Sequence, residues 1–350
     1  MNESGLTHNI LIASYLEPFL VAKIRNVDPR VRVIYEPDLI AAPRYNADHV
    51  GVEFQRTEEQ ENKWLSLLRK ADILFDFDQT HMQDLPVLAP NVKWIQATSS
   101  GIGYKINKLQ YDLRMPDTVF TSAKGVHAQP LAEFCLMVML AFNKNFLSMI
   151  KSQKKNHWQP FSGTDLSNRT IGILGIGKVG QEVARLSKCL GMHVLGVKRD
   201  VDGIDPSSVH ADELFSKDQM EEVLKRSEYL VVILPRTPET EKTLGAKELE
   251  LLPKGAILIN IGRGAVIVES ALIEALQSGH LAGAGLDVFE IEPLPESSPL
   301  WAMDNVIISP HSASTSDREN ALITEIFCTN IKNYLAGEPL INVLDTTKMF

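Results

Sequence analysis

Two rhythms alternate along this chain: short apolar, β-branched runs, and longer stretches in which apolar residues recur at helical spacing. Residues 9–13, 31–35, 72–77, 92–97 and 118–122 read as buried strands of a first α/β layer. Residues 58–70 read as an amphipathic helix whose apolar members are Trp64, Leu65, Leu67 and Leu68. The strongly apolar stretch 130–150 predicts one long, buried connecting helix. A polar arm or linker over 151–168 follows, holding Trp158, Pro160 and Gly163. Strands return at 170–174, 193–197, 229–234, 256–261, 282–288 and 306–309. A helix over 269–277 stops at Gly279, and a final amphipathic helix covers 317–335. Alternating strand and helix signals argue parallel sheets with right-handed crossovers. The last helix comes after the second sheet, so the chain is expected to return and pack on the first layer.

One stretch turns this pattern towards chemistry. Residues 170–180 read TIGILGIGKVG, with Gly175, Gly177 and Gly180 in G-x-G-x-x-G spacing directly after a strand. A helix over 181–190 follows, with Val183, Ala184, Leu186 and Leu190 on one face and Gly191 at its C-terminal cap. The spacing alone fits a plain glycine-rich turn. Flanked by a strand, a helix and a second strand, it fits a dinucleotide site in a Rossmann sheet. Gly175 would make the tight turn, Gly177 would admit the pyrophosphate, and Gly180 would let the helix pack close. The helix N-terminus would face the anion. Gly175, Gly177, Lys178, Val179 and Gly180 are therefore candidate cofactor contacts.

Composition narrows the partners. A chain of 350 residues favours two domains. Its net charge of −9 and lack of a basic tract leave no electrostatic footprint for nucleic acid. Cys135, Cys189 and Cys328 lie far apart, with no zinc spacing and no disulfide framework, which fits a reducing compartment such as the cytoplasm. An early Glu3 without a basic n-region argues against a signal peptide. The longest uninterrupted apolar run, 134–142, is too short to span a bilayer. No metal, nucleic-acid or membrane partner is expected.

Three further motifs follow the glycines in order: INIGRGAV at 259–266, GLDVFEIEP at 285–293 and SPH at 309–311. Together they resemble the D-isomer-specific 2-hydroxyacid dehydrogenase family, near its glyoxylate/hydroxypyruvate reductases and phosphoglycerate dehydrogenases. The similarity runs from about residue 72 to about residue 335. It implies an α/β protein of two domains facing a cleft. One is a Rossmann domain over 126–311, a doubly wound parallel sheet. The other is a flavodoxin-like substrate, or lid, domain over 1–125 completed by 312–350. It also implies a homodimer, for which the apolar helix over 130–150 and the arm with Trp158 offer a contact, though they would serve equally well in the core of a monomer.

Reducing a 2-oxo acid by hydride transfer needs a cation to hold the carboxylate and an acid to protonate the developing alkoxide. Arg263 offers a bidentate guanidinium, and by similarity it anchors the substrate. His311, which follows Ser309-Pro310 at a strand end, titrates in the range that suits proton exchange with a carbonyl oxygen. The family pattern makes Glu292 its partner. Asp287 would be an unusual acid at the end of an apolar strand, and by resemblance it lies beside the nicotinamide. Leu234, Pro235, Ile261 and Gly262 border the coenzyme by the same resemblance.

The stretch TSSGI at 98–102 resembles the lid-domain loop that closes over the substrate. Backbone N–H groups of Ser100 and Gly101 would bind the carboxylate there, with Ser100 also near the coenzyme. This chain has Gly103 where the family often has an acid, and Leu234 where it often has a hydroxyl residue. His127 reads as a hinge or surface histidine. Pocket walls are expected near Phe75 to Phe77 and Tyr104.

Coenzyme choice depends on the end of the second Rossmann strand. About 20 residues past the fingerprint, an NAD-type unit has an acid for the ribose 2′-hydroxyl. Here Lys198 and Arg199 stand in that place, with Arg236 nearby and no acid until Asp200. This predicts NADP as the preferred coenzyme, with NAD possible. The expected function is reduction of a small glyoxylate-, hydroxypyruvate- or pyruvate-like 2-oxo acid to the D-2-hydroxy acid. One alternative is a formate- or phosphite-type dehydrogenase on the same scaffold. Another is a dinucleotide-sensing corepressor. The intact Arg263, Glu292 and His311 set favours the enzyme.

Overall fold

The structure, a computed structural model, describes residues 7–347, so Glu3 lies outside the described part. The chain divides into unit 1, Met1–His127 with Thr315–Phe350, and unit 2, Ala128–Ser314.

Unit 1 is built on five parallel strands: β1 (His8–Ile12), β2 (Val31–Ile34), β3 (Ile73–Phe75), β4 (Trp94–Gln96) and β5 (Val119–Thr121). Their order, β2-β1-β3-β4-β5, is that of a flavodoxin-like sheet. Successive side chains point to opposite faces, and both faces are covered. Leu11, Leu74, Ile95 and Phe120 pack with Trp64 and Leu68 of the helix Glu58–Lys70. Thr57 and Gln60 start that helix with a reciprocal capping box. On the other face Ile10, Ile12, Phe75 and Trp94 pack with Phe327 and Ile331 of the helix Glu319–Ala336. The last helix thus packs on the first sheet. Phe75 and Phe77 are fully inside, Phe77 lying beside Tyr111 and Phe120. Phe75 on the covered strand β3 and Phe77 two residues beyond it both serve the core, so neither side chain is free to form a pocket wall.

Unit 2 holds seven parallel strands: β6 (Thr170–Leu174), β7 (His193–Val197), β8 (Glu213–Phe215), β9 (Tyr229–Val232), β10 (Ala256–Asn260), β11 (Leu281–Leu286) and β12 (Val306–Ile308). They run in the order β12-β11-β10-β9-β6-β7-β8. Numbered from β6, this is the doubly wound order 3-2-1-4-5-6 with one strand added, and it reverses between β6 and β9. The edge strand β8, Glu213-Leu-Phe215, escapes sequence reading because it holds only two apolar residues and forms no apolar run.

The expected single helix over 130–150 is two helices, Ala128–Asn143 and Phe146–Lys154, bent by 62°. The arm accordingly starts only after Lys154. Asn145 adopts a left-handed φ of 52°, which asparagine tolerates. The Asn143 carbonyl accepts from the Thr164 N–H at 2.9 Å, so the returning arm takes the place of the next helical turn. The buried Asn143 side chain accepts from the Tyr229 hydroxyl. Leu131, Cys135, Val138 and Met139 of the first helix are buried, whereas the second helix has no buried residue. Among the described residues no single helix is long and apolar enough to cross a membrane.

Candidate active site

Because every strand of unit 2 is parallel, all carboxyl ends lie along one edge of the sheet. Gly175, Lys198, Leu234, Ile261, Asp287 and Ser309 follow β6, β7, β9, β10, β11 and β12 there. Gly175 has φ 105°, and a Cβ on it would stand 3.0 Å from the Ile233 carbonyl oxygen, at the reversal in strand order. A Cβ on Gly180 would stand 2.4 Å from the Gly175 oxygen, so the helix Lys178–Cys189 lies directly on the turn. Gly177 differs. Its φ of −80° suits any residue, and a Cβ there would meet no described atom within 4 Å. Nothing in the protein requires glycine at 177, but a diphosphate approaching the free N–H groups of the helix would. These residues fit a dinucleotide. Lys178 is exposed and Val179 half-buried.

The neighbouring turns are held backbone to backbone. A Cβ on Gly262 would fall 2.8 Å from the Leu234 oxygen, so the Leu234-Pro235 turn touches the turn after β10. Asn260 clips that turn: its Oδ1 accepts from the Gly262 N–H at 3.1 Å, and its Nδ2 donates to the Arg263 carbonyl at 3.2 Å. The half-buried Arg263 donates from Nη1 to the Gly262 carbonyl at 2.7 Å. A Cβ on Gly264 would overlap the Phe289 carbonyl group at 1.9 Å. Gly264→Ala is therefore expected to push apart the loops carrying Arg263 and Glu292, at a cost of about 3 kcal/mol. A denaturant midpoint equal to that of the wild type contradicts this.

His311 Nδ1 lies 2.7 Å from Glu292 Oε2, and Glu292 Oε1 accepts from the Phe289 N–H at 3.0 Å. His311 holds a left-handed φ of 53°. Such a backbone is costly for a non-glycine residue and persists only when its surroundings hold it. Asp287 is the holder. It is buried, and its Oδ1 accepts from the Ser309 hydroxyl at 2.6 Å, the Ser312 N–H at 2.8 Å and the Ala313 N–H at 2.9 Å. Its backbone oxygen accepts from the His311 N–H at 2.9 Å. Sequence reasoning left Asp287 without a partner, and it missed Asn260 and Ser309. Their one signal was a polar residue at, or just past, the end of a buried apolar run.

The ionisations follow from these contacts. The Glu292 hydrogen bond raises the pKa of the half-exposed His311 ring, against the opposing effects of partial desolvation and Arg263. Partial desolvation works against the Glu292 carboxylate, but His311, the Phe289 N–H and Arg263 together outweigh it and hold Glu292 low. Burial lowers Arg263, opposed by Glu292 and Asp287. A guanidinium starts so high that it stays charged. Arg263, Glu292 and His311 are thus one electrostatic cluster.

Beyond the ends of β7 and β9 the two expected arginines are engaged. Arg199 faces Glu239 at 3.9 Å, and Arg236 Nε donates to Glu241 at 2.6 Å. Lys198 is half-buried, and its N–H bonds the Phe215 carbonyl. Asp200 accepts from the Asp202 N–H at 3.2 Å, in its own loop. In unit 1, Ser100 and Gly101 are exposed. His127 is not at the surface: it is buried between Ser100 and Glu319. Gly103 opens the short helix Gly103–Lys108, and Tyr104 is exposed.

Two parallel sheets, a glycine turn at the strand reversal and a histidine–carboxylate–arginine cluster define a nicotinamide-dinucleotide dehydrogenase. The profile described as "D-isomer specific 2-hydroxyacid dehydrogenase, NAD binding domain" matches residues 136–313. The chain is 30% identical to a glyoxylate reductase of Aeropyrum pernix over 80% of this chain and 85% of that protein. It is 32% identical to a D-3-phosphoglycerate dehydrogenase of Methanocaldococcus jannaschii, over 65% of this chain but 43% of that longer protein. A D-isomer specific 2-hydroxyacid dehydrogenase from Xanthobacter autotrophicus, solved with NADPH and MES, aligns with TM-score 0.77 at 28% identity, covering 98% of this chain and all of that one. The chain belongs to the D-isomer-specific 2-hydroxyacid dehydrogenase family, and its activity is that of an NAD(P)-dependent D-2-hydroxyacid dehydrogenase.

Proposed function

We propose that the protein reduces a small 2-oxo acid of the glyoxylate, hydroxypyruvate or pyruvate type to the D-2-hydroxy acid. The observation that carries this reading is the His311–Glu292 pair at 2.7 Å, electrostatically coupled to Arg263 at the carboxyl edge of the sheet. The reduced coenzyme, when bound, supplies a hydride. Gly175, Gly177, Lys178, Val179 and Gly180 hold its diphosphate, and Leu234, Pro235, Ile261 and Gly262 border it. Arg263 holds the carboxylate and polarises the keto oxygen. His311 gives that oxygen its proton, and Glu292 keeps the ring charged and oriented. Asp287 acts from behind by fixing the His311 turn. Ser100 and Gly101 meet the carboxylate through their N–H groups. Residues 126–311 serve the coenzyme, and residues 1–125 with 312–350 serve the substrate. A homodimer in the cytoplasm, with no nucleic-acid or membrane partner, completes the proposal. Loss of nicotinamide absorbance with glyoxylate, hydroxypyruvate and pyruvate tests it. No loss with any of them, with either coenzyme, counts against it.

The pH profile tests the proton donor. Reduction needs protonated His311, so kcat/KM is lost as pH rises through its raised pKa. Glu292→Gln removes the carboxylate that raises it and shifts that limb to lower pH. An unmoved limb, with a His311 variant inactive, removes Glu292 from the pair and keeps the histidine.

Coenzyme choice follows from the ribose region. The NADPH in the Xanthobacter relative and the pair Lys198-Arg199 support a preference for NADPH over NADH, mostly through KM. A 2′-phosphate would exchange for Glu239 at Arg199, and exposed ion pairs of that kind are weak. Added salt narrows the preference because the site is open to solvent. Lys198→Asp/Arg199→Ala should move it towards NADH. Equal or better use of NADH by the wild type, or an unmoved preference in the double variant, contradicts this.

A further inference from the structure

Unit 1 holds a buried acid and a buried histidine that the proposed chemistry does not use. His127 and Glu319 are 8% and 6% exposed, and His127 Nε2 lies 3.2 Å from Glu319 Oε1. The other Glu319 oxygen, Oε2, has no partner among the described residues. The other side of the ring, Nδ1, lies 2.9 Å from the Ser100 hydroxyl. Three elements distant in sequence thus meet in one chain of hydrogen bonds: the loop after β4, the segment after β5 and the start of the last helix.

With a neutral ring, donor counting gives its direction. A carboxylate only accepts, so Glu319 requires a hydrogen on His127 Nε2. In the neutral ring Nδ1 is then an acceptor, and it takes the hydrogen of the Ser100 hydroxyl. Among the described residues a second acceptor within reach of that hydroxyl is the Ala123 carbonyl at 3.2 Å, also inside unit 1. The loop is tied to the same segment once more, by the Ala123 N–H donating to the Ser99 carbonyl at 3.2 Å. The Ser100 side chain is therefore spent on the protein, while Ser100 and Gly101 remain exposed. What Ser100 and Gly101 can offer a ligand is their backbone.

We infer that Glu319 and His127 are positioning residues that hold the Ser100 hydroxyl inward, so that the Ser100 and Gly101 N–H groups are fixed as an anion-binding turn for the substrate carboxylate. The inference rests on the proposed reading of this loop. Glu319 sets the histidine tautomer, the tautomer sets the direction of the serine hydroxyl, and the hydroxyl sets the loop. Positioning of this kind acts on binding of the acid group, not on coenzyme affinity or on the chemical step.

The test uses the full chain loaded with coenzyme, and oxalate as the probe. Ring-nitrogen NMR should show His127 with hydrogen on Nε2 in the wild type, and that tautomer should be lost in Glu319→Leu. Glu319→Leu and Ser100→Ala should each weaken oxalate binding by calorimetry about tenfold, the scale of one hydrogen bond. Each should raise KM for the best 2-oxo acid by a similar factor, and Glu319→Leu, which lies outside the site, should leave kcat within about twofold and coenzyme Kd unchanged. Glu319→Gln keeps an acceptor for Nε2–H and should restore both. If Glu319→Leu does not fold, Ser100→Ala on the exposed loop decides alone. Hydrogen on Nδ1, alone or together with Nε2, or oxalate affinity and KM unmoved by Ser100→Ala, overturns the inference. A wild type that binds oxalate in this Ser100-dependent way but turns over no 2-oxo acid defeats the proposed function and leaves the positioning role standing.

Discussion

Arg263→Ala is expected to lower kcat/KM for the best 2-oxo acid by at least ~100-fold, the scale of losing one transition-state electrostatic donor. Two features make the effect large. Arg263 is partly buried, so its charge acts in a medium poorer than water at screening it. Asn260 and Gly264 fix its backbone turn before any substrate arrives, so little has to be organised during the reaction. Truncating the side chain leaves that turn and the glycine loop in place, so coenzyme Kd should hold. A variant that turns over its best substrate near wild-type efficiency removes Arg263 as the carboxylate anchor. A variant that loses coenzyme binding as well points to a structural role.

His311→Gln should cost about 10²- to 10⁴-fold in kcat, the range for a positioned general acid. Glutamine keeps a hydrogen-bonding group towards Glu292 but cannot deliver a proton near neutral pH. The Asp287 contacts with Ser309, Ser312 and Ala313 do not involve the ring, so the turn should survive the change. Thermal stability and coenzyme affinity should therefore stay close to wild type. The residual rate should also lose the alkaline limb assigned to His311. A residual rate within tenfold of wild type, with that limb intact, would place the proton donor elsewhere.

Both sheets were legible in the sequence because their strands are covered on two faces and read as plain apolar runs. The runs at 170–174 and 193–197, and the helices at 58–70 and 269–277, match the structure residue for residue. Legibility failed where tertiary contacts override a local pattern. The apolar stretch 130–150 is periodic enough for one helix, yet the arm's Thr164 captures the Asn143 carbonyl and the helix breaks there. Pocket walls were expected near Phe75 to Phe77 because a sequence does not say which side chains tertiary packing buries.

The candidate site shows the same division. Arg263, Glu292 and His311 stand out through their motifs, Arg263 and His311 just past a strand end and Glu292 before Pro293 on a loop. Their supports do not stand out. Ser309 and Asn260 are small polar residues, and their importance lies in partners 22 and 3 residues away. His127 looked like a surface residue because its two partners, Ser100 and Glu319, lie 27 and 192 residues away in the chain. Lys198, Arg199 and Arg236 were visible as charges, but the acids beside the two arginines were not.

The central claim is that this chain reduces a 2-oxo acid with a nicotinamide coenzyme and delivers the product in one configuration. Its most direct test is the product formed from hydroxypyruvate with NADPH, resolved by chiral chromatography and counted against coenzyme consumed. The account predicts one D-glycerate for each NADPH oxidised, and loss of product in Arg263→Ala and His311→Gln together. L-glycerate, a racemic product, or coenzyme oxidation independent of the oxo acid would contradict it.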